Sequence, residues 1–274
     1  HILLAVIRFV ATWTYLLTSI WLVWLTIPTV ILNPLLRKIG VPVFWLPIDV
    51  ATRWFAKGLL LLAGIRGITE GKATEPTVIV CNHLSALDSF AVYGYSPISM
   101  RFIMKRSIMW VCPPVFVLAR IVGCITINRK AREEAIVALK SAAEKIKKSG
   151  RSFIVFPEGT RSKTGTLQPF KKGAFHMAKD ANVTISPAVL FGMWDLWPPG
   201  TLFPLPGTIK VKMLEPIKTE DKSVDELLLE ARTSIAKAIA DDKFRVHDNG
   251  YLLATAPAIG WLLFVCGTIG YYFY

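Results

Sequence analysis

The sequence predicts an α/β domain with a central, mostly parallel or mixed sheet flanked by helices, and apolar segments at both ends of the chain. Between residues 66 and 250, short apolar runs alternate with longer stretches of helical periodicity, as is typical of α/β folds. Residues 9–32 and 251–274 contain no charge, and a bilayer span needs about 20 apolar residues. We therefore predict N-terminal membrane-spanning and interfacial helices over 1–65, the globular domain over 66–250, and a C-terminal transmembrane helix over 251–274.

The N-terminal part contains two different apolar segments. Residues 9–32 are long enough to span a bilayer, but prolines near the end of this segment make a re-entrant turn an equal alternative. Residues 43–65 are predicted to form a helix in the headgroup layer of a membrane. The charged residues Asp49, Arg53 and Lys57 recur every four positions and form one stripe, which we expect to be hydrated. The alternative is an amphipathic helix packed on the domain, and both hold if the helix lies between the domain and the bilayer.

The middle of the chain contains the elements of the predicted domain. Five short apolar runs are predicted to be strands, at residues 77–81, 124–128, 153–156, 183–191 and 208–214. A helix is predicted over residues 130–148, with Gly150 as its stop signal. A second helix begins at Ser223, where Glu226 three positions later has the spacing of a capping box.

Composition and charge narrow the class of partner. The formal net charge of +13, with a mean hydropathy of +0.46, favours a membrane-attached protein that binds anionic headgroups or phosphorylated substrates. Nucleic acid is the alternative, but the sequence has no helix-turn-helix, finger or RNA-binding signature, so we predict no nucleic-acid partner. Because the four cysteines form no C-x-x-C pair, we interpret them as buried thiols and predict no metal site.

A polar turn follows the first predicted strand. His83 comes directly after Asn82, and Asp88 follows five residues later, at the start of the next helix. There the carboxylate can accept from one imidazole nitrogen and leave the other as a proton acceptor, which is the arrangement of a general base. The alternative is a structural histidine in a loop. Ser85 is a rival nucleophile, but it lacks a G-x-S-x-G elbow and is interpreted as a cap or loop residue.

A second polar turn follows the third predicted strand and contains Glu158, Gly159, Thr160 and Arg161. The preceding strand delivers Arg129 at its end. Three strands thus bring together one base, one acid and two guanidinium groups, which suits the deprotonation of a hydroxyl on a phosphate-bearing molecule. A basic patch follows, with Lys163, Lys171, Lys172 and Lys179, of which the last three are interpreted as a solvated, membrane-facing surface.

Four motifs resemble the 1-acylglycerol-3-phosphate acyltransferase family of glycerolipid acyltransferases. Residues 82–88 (NHLSALD) resemble its N-H-x-x-x-x-D box, and residues 156–162 (FPEGTRS) resemble its F-P-E-G-T-R-S box. Residues 123–129 (GCITINR) and 183–187 (VTISP) resemble the blocks that lie between and after these boxes. Order and spacing agree over residues 66–215.

Two positions depart from the family's pattern. Thr126 stands where the family usually has Phe, and Thr184 where it usually has Pro. These departures bear on the preference for acyl chain or headgroup more than on the reaction.

The resemblance implies the glycerolipid acyltransferase fold and a reaction. His83, oriented by Asp88, would take the proton from the sn-2 hydroxyl of lysophosphatidic acid. The alkoxide would attack the thioester of acyl-CoA or of an acyl carrier protein, and phosphatidic acid would form. No metal and no cofactor beyond this acyl donor are expected.

The remaining site residues would bind substrate. The resemblance implies that Arg129 and Arg161 hold the phosphate, with help from Lys105. Glu158 would fix either the glycerol hydroxyl or the loop around it. We also assign Asn82, Gly159 and Thr160 to the substrate site.

Alternatives remain for the acceptor and for the class of protein. The acceptor could be another lysophospholipid or glycerol 3-phosphate, and a non-catalytic membrane lipid-binding module is the alternative from another class. The expected partners are the bilayer, a lysophospholipid and acyl-CoA. Basic residues Arg37 and Lys38 favour a catalytic domain on the cytosolic face, with the endoplasmic reticulum preferred over a plastid or bacterial inner membrane. Acyl-chain preference and oligomeric state are not predicted.

Overall fold

The computed structural model describes residues 2–18, 32–41, 46–111, 113–128, 132–247 and 250–273. The strands are β1 Ile65–Glu70, β2 Thr77–Cys81, β3 Met100–Lys105, β4 Ile125–Ile127, β5 Ser152–Val155, β6 Thr184–Phe191 and β7 Gly207–Met213. The helices are α1 Ile2–Thr18, α2 at residues 32–38, α3 Pro47–Leu62, α4 Asp88–Tyr95, α5 Ile108–Val111, α6 Pro113–Ile121, α7 Arg132–Ser149, α8 Gly173–Ala181, α9 Met193–Leu196, α10 Val224–Asp241 and α11 Tyr251–Phe273.

The described strands form one mixed sheet in the order β1-β7-β6-β2-β5-β3-β4. Strands β6, β2, β5, β3 and β4 are parallel to one another, whereas β7 is antiparallel to β6 and carries β1 beside it. The predicted α/β class with a mostly parallel, mixed sheet is therefore confirmed. Each of the five predicted strands is present with its ends within one residue of the prediction. β1 and β3 were not predicted.

Strand β2 lies at the centre of the molecule and is buried along its whole length. Its side chains alternate between two apolar cores. Ile79 and Cys81 pack on the side of α3 and α4, whereas Val78 and Val80 pack on the side of α7, α8 and α10. A parallel strand covered by helices on both faces needs apolar residues at every position, which is why β2 has the continuous run TVIVC.

Both predicted domain helices are present with the expected ends. Helix α7 ends where the N–H of Gly150 donates to the carbonyl of Ile146 at 2.8 Å, and Gly150 has a φ of +61°. Helix α10 begins with the predicted capping box. The N–H of Ser223 donates to Oε2 of Glu226 at 2.7 Å, and the N–H of Glu226 donates to Oγ of Ser223 at 3.2 Å.

Helix α3 packs on the domain, and Asp49 of its charged stripe is not hydrated as predicted, whereas Arg53 and Lys57 are partly exposed. The side chain of Asp49 is fully buried, and its Oδ1 lies 2.6 Å from Nη1 of Arg101 on β3. Phe55 and Leu59 of the same helix are buried in the core, while Trp54 is 68% exposed. The structure therefore supports the alternative of a packed amphipathic helix, because the buried charge on β3 requires the carboxylate on α3.

The two terminal helices pack against each other and against α3. Ala11 of α1, Leu62 of α3 and Ala258 of α11 form a small buried cluster. Within the described part of the chain, no helix combines the length and the apolar character needed to cross a membrane. The transmembrane assignment of residues 251–274 is therefore not supported. Residues 19–31 of the predicted first span lie outside the described residues.

Candidate active site

The carboxyl ends of β2, β5 and β3 lie at one edge of the sheet, because these strands are parallel neighbours. His83 follows β2, Glu158 follows β5, and Lys105 is the last residue of β3. β2 lies between β5 and β6, so strands that come later in the chain lie on both sides of it in the sheet. Ligands of open α/β sheets bind in the crevice at this kind of position.

His83 and Asp88 form the pair that their spacing predicts. Nδ1 of His83 lies 2.8 Å from Oδ2 of Asp88, which is the first residue of α4. The same carboxylate oxygen accepts the backbone N–H groups of Leu84 and Ser85. Because this oxygen already acts as an acceptor for two donors, we assign the proton to Nδ1 of His83. The lone pair then lies on Nε2, which is the protonation state of a general base.

The His83–Asp88 pair lies at the boundary between the core and the solvent. The side chain of His83 is 14% exposed, whereas that of Asp88 is fully buried. Burial raises the pKa of the Asp88 carboxyl, and the hydrogen bond from His83 and the two backbone N–H groups oppose this rise. The imidazole stacks on Phe156, with ring centroids 4.3 Å apart and planes inclined by 15°. Phe156 on one ring face and Asp88 at Nδ1 therefore hold the imidazole in one orientation.

The carboxylate of Glu158 connects the two polar turns through hydrogen bonds to their backbone. Its Oε1 accepts the backbone N–H of His83 at 2.7 Å, and its Oε2 accepts the backbone N–H of Gln168 at 3.0 Å. The N–H of Ser162 also donates to the carbonyl of His83 at 2.8 Å. Burial raises the pKa of Glu158, and the hydrogen bonds from these two backbone groups oppose the rise. Of the two predicted roles of Glu158, the contacts show the one that fixes the loop.

Replacement of Glu158 by glutamine is expected to destabilise the fold by about 1–3 kcal/mol, since one buried N–H would face an amide NH₂ in place of an oxygen. The free energy of unfolding in urea measures this loss. The exposed carboxylate Glu144 on α7 provides the matched control, and Glu144→Gln should change the stability very little. Equal stability of the Glu158 and Glu144 variants would contradict the role of Glu158 in holding the two turns together.

The turn after β5 presents the other predicted residues. Gly159 has a φ of +76°, a backbone conformation that favours glycine, and Nζ of Lys171 lies 2.7 Å from the position that a Cβ atom would take. Thr160 and Arg161 are exposed. Arg161 makes no hydrogen bond or ion pair with a described residue, and the next residue, Ser162, is bonded to His83. Arg161 is thus exposed and directly precedes a residue whose backbone is bonded to His83.

Three further residues were predicted to bind substrate: Asn82, Lys105 and Arg129. Asn82 is only 3% exposed, and both ends of its amide bond to the backbone of Leu190 on β6, at 3.0 and 2.8 Å. Its predicted substrate contact is not supported, because the amide continues the pairing of β2 with β6. Lys105 is exposed at the site edge and pairs in register with Ile127. Arg129 lies outside the described residues.

Two other residues change how the site is understood. Ser85 is fully buried, and its Oγ has no hydrogen-bond partner among the described residues, so it is not placed as an exposed nucleophile. Lys171, which the sequence placed on a general basic surface, lies over the turn at Gly159. Its position after the F-P-E-G-T-R-S motif was the signal available in the sequence, but the fold back over the turn depends on the N–H of Lys171 donating to the carbonyl of Pro157 at 2.9 Å.

Comparison with known families gives a match over the central part of the chain. Residues 64–190 match the family model described as Acyltransferase. This stretch contains β1 to the greater part of β6, and with them His83, Asp88 and Glu158. The central part of the chain is therefore similar to an acyltransferase domain.

Curated relatives indicate which kind of acyltransferase the chain resembles. Over 150 residues the chain is 37% identical to the 1-acyl-sn-glycerol-3-phosphate acyltransferase of Limnanthes douglasii. The aligned region covers 55% of this chain and 53% of the relative. The yeast (Saccharomyces cerevisiae) protein of the same name is 36% identical over 160 residues, with 58% and 52% covered. The mouse (Mus musculus) alpha form is 34% identical over 164 residues, with 60% and 57% covered. The predicted resemblance to this family is confirmed, and the matches span about half the length of these relatives.

A solved structure shares the fold over most of the chain. It is the 1-acyl-sn-glycerophosphate (LPA) acyltransferase PlsC from Thermotoga maritima, with a TM-score of 0.70 and 22% identity. The match covers 89% of this chain and 97% of the PlsC chain. At this identity the likeness concerns the fold.

Proposed function

We propose that the protein transfers a fatty acyl group from acyl-CoA to the sn-2 hydroxyl of lysophosphatidic acid, with CoA and phosphatidic acid as products. The observation that carries the proposal is the His83–Asp88 hydrogen bond of 2.8 Å at the carboxyl edge of an acyltransferase domain. The names of the relatives support the acceptor, since all three are 1-acyl-sn-glycerol-3-phosphate acyltransferases.

The proposed chemistry is general-base catalysis of a direct transfer. Nε2 of His83 takes the proton of the acceptor hydroxyl, and the alkoxide oxygen attacks the thioester carbonyl. The tetrahedral intermediate collapses with cleavage of the carbon–sulfur bond, and the departing thiolate takes the proton back from the imidazolium. Asp88 stabilises the imidazolium through Nδ1. General-base help of this kind contributes about 10²–10⁴ in rate.

The phosphate of the acceptor is proposed to lie beside the exposed turn after β5. Arg161 supplies the planar fork of donors that fits phosphate oxygens, and Lys171 and Lys105 add positive charge near the same edge. Burial of Glu158 beneath this turn holds the backbone in place while leaving Arg161 accessible.

Association with a membrane is part of the proposal, because a lysolipid tail remains in a bilayer. Exposed apolar side chains on several helices support it: Leu17 on α1, Leu35 on α2, Trp54 on α3, Trp110 on α5 and Leu263 on α11. Trp110 is 79% exposed, and aromatic rings of this kind favour the bilayer interface. Flotation of the protein with phosphatidylcholine vesicles tests the association. The cytosolic face of the endoplasmic reticulum stays a prediction.

The acceptor and the acyl donor are tested together by release of free thiol from a panel of acyl-CoAs with several lysolipids and with glycerol 3-phosphate. We expect turnover to be fastest with lysophosphatidic acid. A preference for a lysophospholipid with a larger headgroup, or for glycerol 3-phosphate, would reassign the acceptor. No thiol release with any acceptor would favour a lipid-binding module and contradict the proposal.

Replacement of Arg161 by glutamine is expected to raise the KM for lysophosphatidic acid by about tenfold or more, since a charge-assisted hydrogen bond contributes about 1.5–3 kcal/mol. Steady-state kinetics with lysophosphatidic acid measures the change. Lys148→Gln, which removes an exposed positive charge from α7, is the control for a general loss of charge. An unchanged KM in the Arg161 variant would show that the phosphate binds elsewhere.

A further inference from the structure

A cavity of about 280 Å³ lies at the amino edge of the sheet, between α2, α3, α6 and the beginnings of β3 and β5. Three arginines and one asparagine line it, together with four apolar residues that include Ile48 and Val122: Arg37, Arg101, Arg151 and Asn33. We call this space the arginine cavity.

The arginine cavity is separate from the candidate active site. Arg101 pairs in register with Phe153, and Phe153 pairs with Val78 near the beginning of β2. His83 lies five residues further along the chain, past the carboxyl end of β2. With about 3.3 Å per residue of strand, the two sites are on the order of 15 Å apart along the sheet.

Arg101 presents buried donors that the protein does not use. The residue is only 2% exposed, and its contacts with Asp49, Tyr93 and the carbonyl of Met100 all involve Nη1, at 2.6, 3.2 and 2.8 Å. Among the described residues, Nε and Nη2 of Arg101 have no hydrogen-bond partner, and neither has Nε of Arg151. Two acceptor oxygens of the same group, Oδ2 of Asp49 and Oδ1 of Asn33, are also buried without a hydrogen-bond partner among the described residues. Buried donors that stay unpaired are unfavourable, and a bound acceptor would pair them.

The arginine cavity carries an excess of positive charge. The buried carboxylate beside the three arginines is Asp49, whose Oδ2 lies 3.8 Å from Nη2 of Arg151. Glu75 and Arg53 also lie next to this group and offset each other's charge. Burial lowers the pKa of Arg151, repulsion from the other two arginines lowers it further, and Asp49 opposes the change. An added anion would therefore relieve repulsion.

We propose that the arginine cavity binds a phosphate group, which belongs either to the headgroup of an anionic lipid or to a soluble phosphate ion. Nε and Nη2 form the side edge of a guanidinium, whose two parallel N–H groups match two phosphate oxygens. Arg37 stands at the exposed mouth, where its Nη2 donates to the carbonyl of Ser149 at 2.7 Å. Leu35 and Ile39 beside it are 54% and 76% exposed, so a lipid source has an apolar surface next to the charged one.

The test compares Arg37→Gln and Arg151→Gln with Lys38→Gln in the full chain. Lys38 is exposed and adjacent to Arg37 but does not line the cavity, so its variant controls for general loss of charge. All variants also carry Arg161→Gln, so that the proposed substrate site does not contribute. One arm titrates inorganic phosphate by calorimetry. The other measures co-sedimentation with phosphatidylcholine vesicles, with and without phosphatidic acid.

We expect both arginine variants to bind at least tenfold more weakly than the Lys38 variant in one arm. A difference in the phosphate arm assigns a soluble ion, and a difference confined to vesicles with phosphatidic acid assigns a lipid headgroup. If Arg151→Gln does not fold, as judged by circular dichroism, the exposed Arg37 decides the result alone. Equal binding by the arginine and lysine variants in both arms, or no binding in either, would overturn the proposal.

Discussion

Replacement of His83 by alanine is expected to lower kcat for acyl transfer by about 10²–10⁴, because the variant loses the proposed base for the hydroxyl proton. The KM for lysophosphatidic acid should change little, since the phosphate is held by other groups. Steady-state kinetics of thiol release measures both constants. The half-buried ring stacks on Phe156 at the edge of the core, so thermal unfolding should confirm that the variant remains folded.

Ser85→Ala is the matched control for His83→Ala, since the two residues lie in the same turn. Its buried hydroxyl has no partner among the described residues, and its contribution to the turn is the backbone N–H that donates to Asp88 at 2.8 Å. Alanine keeps that N–H, so we expect near-normal kcat. A loss of activity in the Ser85 variant, with His83→Ala active, would replace the base mechanism with a serine nucleophile.

Replacement of Asp88 by asparagine should also lower kcat, by about 10²-fold or more. The amide oxygen can still accept from the backbone of Leu84 and Ser85, but it carries no charge to stabilise the imidazolium at Nδ1 of His83. The turn is therefore expected to persist while the chemistry fails. kcat for phosphatidic acid formation, measured beside circular dichroism spectra, separates these two effects.

Asp180→Asn on the exposed end of α8 is the control for loss of one carboxylate. It should have normal kcat. If the Asp88 variant were also fully active, the 2.8 Å contact with His83 would have no role in catalysis.

Much of the central sheet could be predicted from local sequence. β2 is apolar at every position because helices cover both of its faces, and this requirement is visible in the run TVIVC. β3 was missed because its second residue is Arg101, a charge that is tolerated in a buried strand through its contact with Asp49 on α3. That partner is distant in sequence, so no local pattern indicates it. The same contact explains why Asp49 of α3 faces the domain.

The candidate site could be predicted in part. The five-residue spacing of His83 and Asp88 was enough to predict the hydrogen bond, since both residues belong to one turn. The role of Asn82 could not be predicted, and for Glu158 the sequence left two roles open. Each role depends on backbone groups elsewhere in the chain: Leu190 on β6 for the amide, and His83 with Gln168 for the carboxylate. A motif shows which residues occur together, whereas these contacts follow from strand order.

The most direct test of the proposed mechanism is a single-turnover reaction of the wild-type protein with isotope-labelled acyl-CoA and lysophosphatidic acid, quenched at successive times. Mass spectrometry would follow the label in the lipid and on the intact protein. We expect it to pass into phosphatidic acid at the rate of CoA release, with none bound to the protein at any time, because a hydroxyl activated by His83 attacks the thioester directly. Label on the protein that forms and decays at competent rates, or CoA release without phosphatidic acid, would contradict this mechanism.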